Sequence, residues 1–261
     1  MPRFISLADT TSEVKSSAYV RLNQQDGNAA YYDGVMYRPG SYDAHIWSIQ
    51  RPMVEGIARR MGRSGRLRAL DFACGTGRIL EAVEPFAAYS CGMDTSREML
   101  DAAAQRCTRS DLVLGDVLAN NGAFVEPFDL ITAFRFFLNT EAEMRLPVMS
   151  TLSGLLSGGE SRLVFNVHGH RPSALVFTSM YRRMRGWPPV TSMSTRQIRA
   201  LVADAGLEIV EWRGYGLLPP RLFNSRFGAV ARRLDTMLSA MPGMAWISRD
   251  VVVVAKRRRE R

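Results

Sequence analysis

Apolar runs that end in an acidic residue recur along the first half of the chain. The first run ends at Asp71, the second at Asp94 and the third at Asp116, so the acids are 23 and 22 residues apart. This spacing fits a strand, a helix and two short connections in each repeat. The pattern predicts parallel strands with helical crossovers, and it places successive acids side by side at the carboxyl ends of neighbouring strands. A fourth apolar run, residues 128–134, predicts a further strand.

A turn of small residues follows the first of these strands. Ala73, Gly75 and Gly77 separate the strand from a predicted helix that begins at Arg78. Such a turn brings backbone amides close to a ligand. The turn is not the dinucleotide fingerprint, because Leu80 stands where the third glycine belongs. The chain also has no Gly-Lys pair, which excludes a phosphate loop of the Gly-Lys-Ser/Thr type.

Taken in order, these motifs resemble those of the class I S-adenosylmethionine-dependent methyltransferases. The turn resembles the first motif of the family, with Ala73 where the first glycine usually stands. Asp94 resembles the acid that ends the second strand, and Gly115-Asp116 resembles the acidic pair after the third. Residues 128–131 resemble the fourth motif, and residues 155–164 resemble the segment that leads into the fifth strand.

The resemblance covers residues 65–212 and implies an α/β fold. We expect a Rossmann-like, seven-stranded, mostly parallel sheet with helices on both faces, an antiparallel last strand at residues 250–256, and helical cap insertions. We expect an N-terminal helical cap segment at residues 1–60 and one S-adenosylmethionine-binding domain at residues 61–261. Two acceptor-side insertions are expected in that domain, at about residues 170–193 and 213–248.

The resemblance implies S-adenosyl-L-methionine as the methyl donor and S-adenosyl-L-homocysteine as the product. An anchored carboxylate accepts hydrogen bonds from both ribose hydroxyls, and Asp94 is the candidate for this role. Asp116 is the candidate acceptor for the adenine amino group, and Asp71 either orients the loop or meets the methionine ammonium. The candidate cofactor-binding residues are Asp71, Ala73, Gly75, Gly77, Asp94, Thr95, Met99, Asp116, Val117, Phe134, Tyr32 and Tyr42.

Several of these positions have a second, structural interpretation. Thr95 and Glu98 have the spacing of a capping box for the next helix, so Thr95 either caps only or caps and packs on the adenine. The tyrosine-rich segment at residues 31–43 resembles the N-terminal segment that folds over the cofactor in family members acting on small molecules. Its rings suit a sulfonium, but ordinary aromatic packing explains Tyr32 and Tyr42 equally well. Arg78 is expected to be a solvated charge.

The acceptor side is expected around residues 134–139 and His168. His168 follows the predicted fifth strand, and strand ends in open α/β sheets face the ligand crevice. Histidine takes a proton near neutral pH, so His168 is the candidate catalytic base for a hydroxyl acceptor. An amine acceptor, by contrast, needs only to be positioned and to lose its proton to water. His170 is expected to be structural or solvated, whereas Asn139 lies where acceptor contacts gather.

Two helices are predicted in the C-terminal part. Ser194 and Gln197 have capping-box spacing, and Gly206 closes that helix. Residues 227–241 form an amphipathic helix, whose arginines lie outside an apolar stripe. The stripe is expected to pack on its own domain, with a pocket lid, a dimer face and a membrane-surface helix as alternatives.

Composition narrows the class of protein. The chain has 261 residues, of which 46% are hydrophobic, and this suits one sizeable core. Its net charge of +9 comes almost entirely from arginine, but no basic stripe alternates with aromatic residues, so nucleic acid is not expected as a partner. The three cysteines are expected to be reduced and the protein cytoplasmic, without a metal, a signal peptide or a spanning helix.

These observations favour methyl transfer to nitrogen or oxygen of a small polar metabolite, such as a sugar, an amino sugar or a natural-product intermediate. The first alternative is a methyltransferase acting on a lipid or lipid-linked acceptor at the membrane surface. The second is a non-catalytic binding protein that retains the fold. The expected partner is a small-molecule acceptor, the expected state is a monomer or homodimer, and membrane contact is not favoured.

Overall fold

A mixed sheet forms the centre of the protein in a computed structural model. The structure describes residues 2–6, 27–119, 124–169, 180, 182–186, 192–241 and 243–258. Within these ranges the sheet has eight strands: β1 (Phe4–Ser6), β2 (Arg68–Phe72), β3 (Tyr89–Asp94), β4 (Asp111–Leu114), β5 (Leu130–Ala133), β6 (Arg162–His168), β7 (Leu207–Tyr215) and β8 (Asp250–Arg257). Their order is β1-β4-β3-β2-β5-β6-β8-β7.

The direction of the strands confirms the expected fold class. Every neighbouring pair from β1 to β6 is parallel, whereas β8 is antiparallel to both β6 and β7. The sheet has one strand more than the sequence predicted, because β1 adds to the edge by pairing Phe4 with Leu112 of β4. The order β4-β3-β2 brings the ends of the three acid-terminated strands next to one another.

Helices cover both faces of the sheet. Their bounds are α1 (Asn28–Tyr31), α2 (Tyr42–Met61), α3 (Arg78–Val83), α4 (Arg97–Arg106), α5 (Ala142–Gly154), α6 (Thr195–Asp204), α7 (Pro220–Phe223) and α8 (Gly228–Ser239). Single turns of other helix types lie at Tyr32–Met36, Gly62–Ser64, Glu84–Phe86 and Met244–Trp246.

The apolar core divides into layers on either side of the sheet. One layer packs α2 and α3 against the strands, and the other packs α5 and α6 against the opposite face. The four consecutive valines of β8 pack into both layers, since alternate side chains of a strand point to opposite faces. Val251 and Val253 join the α5 and α6 layer, and Val252 and Val254 join the α2 and α3 layer. A strand buried on both faces therefore reads as a continuous apolar run.

The start of α6 agrees with the sequence pattern. Ser194 and Gln197 form the predicted capping box, and Gly206 follows the helix with a φ of 73°. A positive φ at this place is typical of a glycine that ends a helix.

The orientation of α8 differs from expectation. The residues that it buries are Gly228, Ala231 and Asp235, whereas large apolar residues of the predicted stripe, such as Met237, are exposed. The expectation that this stripe packs on its own domain is therefore wrong. A buried carboxylate decides the orientation, because Asp235 contacts backbone amides and a histidine inside the protein. None of the helices in the described ranges is long and apolar enough to cross a bilayer.

Candidate active site

A cavity of about 730 Å³ opens at the carboxyl ends of the parallel strands. Its wall includes Asp71 from β2, Asp94 from β3, and Asp116 just after β4. The acids therefore meet at one cleft, as their spacing along the chain predicted. The wall also includes these other candidate cofactor-binding residues: Ala73, Gly75, Thr95, Met99, Val117, Phe134, Tyr32 and Tyr42.

Asp94 anchors the turn that follows β2. Its Oδ2 accepts a hydrogen bond from the Gly75 amide at 2.8 Å, and its Oδ1 accepts one from the Ser96 amide at 2.9 Å. Burial raises the pKa of Asp94 above its ordinary value, and these amide bonds oppose the rise. The carboxylate therefore holds the loop in position at the same time as it faces the cavity.

Asp71 lies deeper than the other two acids. It is 2% exposed, its Oδ1 accepts a hydrogen bond from the Thr132 hydroxyl at 2.7 Å, and its Oδ2 has no hydrogen-bond partner among the described residues. Burial raises the pKa of this carboxyl to about 7, against the opposing effect of the Thr132 hydrogen bond. Asp71 belongs to the cavity wall, and a buried carboxyl oxygen without a partner is suited to a cationic group of a ligand.

The turn itself adopts a left-handed backbone at three positions. The φ angles are 53° at Ala73, 52° at Gly75 and 78° at Gly77. Ala73 stands where the family usually has glycine. Its left-handed backbone is unfavourable for a residue that carries a Cβ.

Gly77 is the one candidate cofactor residue that does not line the cavity. A Cβ at Gly77 would lie 2.9 Å from the Cys107 Sγ and 3.0 Å from the Ala103 Cβ. The glycine thus permits close packing of the turn against α4.

The start of α4 corrects a second expectation. Ser96, and not Thr95, is the N-cap, and its hydroxyl accepts a hydrogen bond from the Met99 amide at 3.4 Å. Glu98 makes no capping box; its carboxylate accepts bonds from the amides of Gly27 and Ala29 at 3.1 and 3.2 Å. Glu98 therefore fastens the N-terminal segment to the cofactor side of the domain.

Asp33 also holds the N-terminal segment against the domain. Its Oδ1 pairs with Arg78 at 2.7 Å and accepts a bond from the Thr76 hydroxyl at 3.0 Å, and its Oδ2 pairs with Arg106 at 3.0 Å. Arg78 also lies over the Tyr37 ring, 4.2 Å from its centre. Arg78 is therefore not the solvated charge that its position suggested. Nothing local in the sequence identified Asp33, since its partners are more than 40 residues away.

Arg135 follows β5 with a φ of 62°, the second non-glycine residue with a left-handed backbone among the described residues. Its amide donates to Asn166 Oδ1 at 2.6 Å, and its carbonyl accepts from Asn139 Nδ2 at 2.8 Å. Its guanidinium pairs with Asp43 at 3.0 Å and lies 5.8 Å from the centre of the Tyr32 ring. Asn139 thus reaches the cavity wall, where it holds this strained turn.

His168 belongs to a connected set of polar groups at the acceptor end of the cavity. Its Nδ1 lies 3.0 Å from Asp250 Oδ1, and the Tyr42 hydroxyl donates to Asp250 Oδ2 at 2.9 Å. Burial works to raise the pKa of Asp250, but the hydrogen bond from His168, the charge of Arg249 and the hydrogen bond from Tyr42 outweigh it and hold this pKa below its ordinary value. An ionised carboxylate only accepts, so Nδ1 carries the imidazole proton. Nε2 of His168 makes no hydrogen bond to a described residue.

Asp250 was not predicted from the sequence as a site residue. The antiparallel register supplies it, because the first residue of β8 lies opposite His168 at the end of β6. The acid that immediately precedes the run of valines was the available signal. His170 and much of the expected insertion at 170–193 lie outside the described residues. Within the described ranges, no three histidine, cysteine or acidic side chains gather as a metal site.

A family model described as a methyltransferase domain matches residues 70–159. This match begins in β2 and spans the turn, the three acids and β5. Residues 70–159 therefore form a methyltransferase domain of the class I S-adenosylmethionine-dependent type. No curated protein matches the sequence of this methyltransferase.

Solved structures share the fold of this methyltransferase at low sequence identity. Magnesium protoporphyrin IX methyltransferase from Synechocystis PCC 6803 with bound S-adenosylhomocysteine has a TM-score of 0.63 and 15% identity, over 92% of this chain and 98% of that chain. Mitomycin 7-O-methyltransferase has a TM-score of 0.58 and 14% identity, over 92% of this chain and 60% of that chain. An S-adenosylmethionine-dependent methyltransferase from Clostridium acetobutylicum has a TM-score of 0.56 and 13% identity, over 88% of this chain and 97% of that chain.

Proposed function

We propose that this methyltransferase methylates a small polar metabolite and that the accepting atom is a hydroxyl oxygen. The observation that carries the proposal is the His168–Asp250 pair at the cavity that also contains Asp71, Asp94 and Asp116. Methyl transfer to an amine does not require a base held in this way, whereas a hydroxyl must lose its proton as the new bond forms.

The residues of the cavity fit S-adenosylmethionine. Asp94 and Asp116 would accept hydrogen bonds from the ribose and the adenine, as carboxylates at the strand ends. The unpartnered Oδ2 of Asp71 would meet the methionine ammonium. Tyr32 and Phe134 would surround the sulfonium with aromatic faces. When bound, the cofactor supplies an electrophilic methyl group and leaves as S-adenosylhomocysteine.

The His168–Asp250 pair would remove the proton of the acceptor. Asp250 fixes the imidazole with its proton on Nδ1, so the lone pair of Nε2 is available to the cavity. The hydroxyl proton would pass to Nε2 as the acceptor oxygen gains the methyl group. The ionised Asp250 then stabilises the imidazolium. Tyr42 donates to the second oxygen of Asp250 and keeps the carboxylate oriented.

Orientation within the cavity would supply most of the rate, with the base adding a smaller factor. Positioned general bases contribute about 10²- to 10⁴-fold. His168→Gln should therefore lower the transfer rate by at least about 100-fold and leave S-adenosylhomocysteine affinity within about twofold. Asp250→Asn should also lower the rate, because an asparagine amide no longer stabilises the imidazolium.

The test uses radiolabelled S-adenosylmethionine and a fractionated pool of small metabolites. Fractions that accept label are identified by mass, and the linkage is assigned as an ether or an amine. The matched control is His45→Gln, since His45 pairs with Asp235 at 3.1 Å, is buried and does not line the cavity. This control should lower stability but not the rate per folded molecule. Label transfer unchanged in His168→Gln, or found only on nitrogen, contradicts the proposal.

A further inference from the structure

The exposed face of α8 is a continuous apolar stripe. Phe227, Val230, Leu234, Met237 and Met241 recur at spacings of three and four residues, so they share one side of the helix. Their exposed fractions lie between 47% and 67%. Contiguous exposure of large apolar side chains in this pattern is typical of an interaction surface.

Buried contacts prevent α8 from turning this stripe inward. Asp235, on the opposite face, is fully buried, and its Oδ2 pairs with His45 at 3.1 Å. Its Oδ1 accepts bonds from the amides of Leu217 and Leu218 at 2.7 and 2.9 Å. Rotating the helix would expose the small residue Ala231 and leave a carboxylate and a histidine without partners, which is costly inside a protein. The exposure of the stripe is therefore built into the fold.

Neighbouring segments extend the stripe into a larger patch. The turn Met244–Trp246 packs against α8, and α7 packs at its other end. Trp246 is 59% exposed, Ile247 44% and Leu222 39%. We call these three residues and the α8 stripe the apolar patch.

The charge around the apolar patch has one sign. Residues 219–249 contain one acid, Asp235, which lies on the buried face of α8. The same stretch contains five arginines. Arg249 lies over the Tyr42 ring in the cavity wall, and the other four lie outside the apolar stripe: Arg221, Arg226, Arg232 and Arg233. A second copy of the chain placed against this surface would bring arginine against arginine. An anionic surface would instead gain from both the charge and the apolar side chains.

We propose that the apolar patch and its arginines dock this methyltransferase on an anionic lipid bilayer. Apolar residues of α8 and the 244–247 turn would enter the interface between headgroups and acyl chains, with the arginines at the headgroups. The docking surface adjoins the cavity, because Pro220 and Asn224 of the α7 region line its wall. This inference concerns a second activity, surface binding, and it does not depend on the chemistry at His168.

The experiment measures co-sedimentation of the full chain with vesicles. Vesicles of phosphatidylcholine alone are compared with vesicles that also contain phosphatidylglycerol. We expect binding to the mixed vesicles, with affinity that falls as salt rises, since the arginine contribution is electrostatic.

Matched substitutions separate this surface from general charge and hydrophobicity. Val230→Glu should weaken vesicle binding by at least about tenfold, because it removes apolar contact and adds a repelled charge. Val210→Glu on β7, where the valine is 44% exposed, should leave binding unchanged. Arg233→Gln should weaken binding by about fivefold. Arg199→Gln, on the exposed side of α6, is its control.

Folding of each variant is checked by S-adenosylhomocysteine calorimetry and circular dichroism. Three outcomes overturn the proposal. Wild-type protein does not bind the mixed vesicles, or Val230→Glu and Val210→Glu bind equally well. Alternatively, sedimentation velocity shows a dimer that Val230→Glu dissociates, with no vesicle binding; the occupant of the patch is then a second copy of this chain.

Discussion

Replacement of the buried Asp71 by asparagine tests the electrostatics of the cofactor end. Asp71 keeps a proton up to a pKa of about 7 in the folded protein, because burial disfavours its charged form. In the unfolded chain an aspartate titrates near about 3.9. The difference of about three pKa units corresponds to about 4 kcal/mol of stability. That stability is fully present at low pH, below the unfolded pKa.

The direction of the effect follows from proton counting. Between about pH 4 and about pH 7 the folded state holds a proton on Asp71 that the unfolded state has lost. The free energy of unfolding therefore falls as pH rises through this window, and the loss is complete above the folded pKa. Asp71→Asn carries no titrating group and keeps an oxygen for the Thr132 hydroxyl. From about pH 5 to about pH 8 the variant should gain about 3 kcal/mol relative to wild type.

Urea unfolding of the cofactor-free protein, followed by tryptophan fluorescence at several pH values, measures this difference. Asp101→Asn is the matched control, because Asp101 is exposed on α4 and pairs with Arg97 across one helical turn. Its pH profile should parallel that of wild type. If Asp71→Asn also runs parallel to wild type across this range, then Asp71 is not held protonated by burial.

Three further variants test the cavity wall and the N-terminal segment beside it. Asn166→Ala should lower the free energy of unfolding by about 1–3 kcal/mol, because it leaves the amide of Arg135 without a partner; urea unfolding measures it. Ala73→Gly should raise the same quantity by about 0.5–1 kcal/mol, since relief of the left-handed conformation exceeds the added chain entropy. Asp33→Asn should weaken S-adenosylhomocysteine binding by about two- to fivefold in calorimetry, because it loosens the N-terminal segment; Asp101→Asn should not.

Each of these results has a clear contrary outcome. Ala102→Gly, inside α4, is the control for Ala73 and should destabilise by about 1 kcal/mol; equal effects at the two sites would mean that Ala73 is unstrained. Undiminished stability of Asn166→Ala would show that its hydrogen bond contributes nothing. Unchanged affinity in Asp33→Asn at low salt would show that the N-terminal segment does not hold the cofactor.

The sheet was predictable because its signal is local. Each apolar run is one buried strand, and the terminal acids mark where the strand leaves the core. The closing strand was visible as well, since its valines are buried on both faces. β1 was not predicted, because three residues at an edge carry too little pattern to distinguish them from a loop.

Contacts between distant segments were harder to predict. Thr95 and Ser96 can both cap a helix, and Ser96 is the N-cap in the structure. Glu98 does not complete a capping box with Thr95, because its carboxylate accepts hydrogen bonds from amides about 70 residues earlier in the chain. The orientation of α8 was mispredicted for a similar reason. Its sequence contains enough apolar residues to pack, but a buried carboxylate bound to a histidine 190 residues away fixes which face turns inward.

Both oxygens of Asp250 are occupied within the protein, one by His168 and one by Tyr42. This carboxylate therefore has little capacity left for a ligand, and the imidazole presents only a lone pair to the cavity. In the proposed reaction, an unmethylated acceptor would have a hydroxyl hydrogen to share with that lone pair, whereas the methyl ether formed from it would have none once Nε2 has released its proton to water. The loss of this single hydrogen bond would thus favour release of the product without a conformational change of the protein.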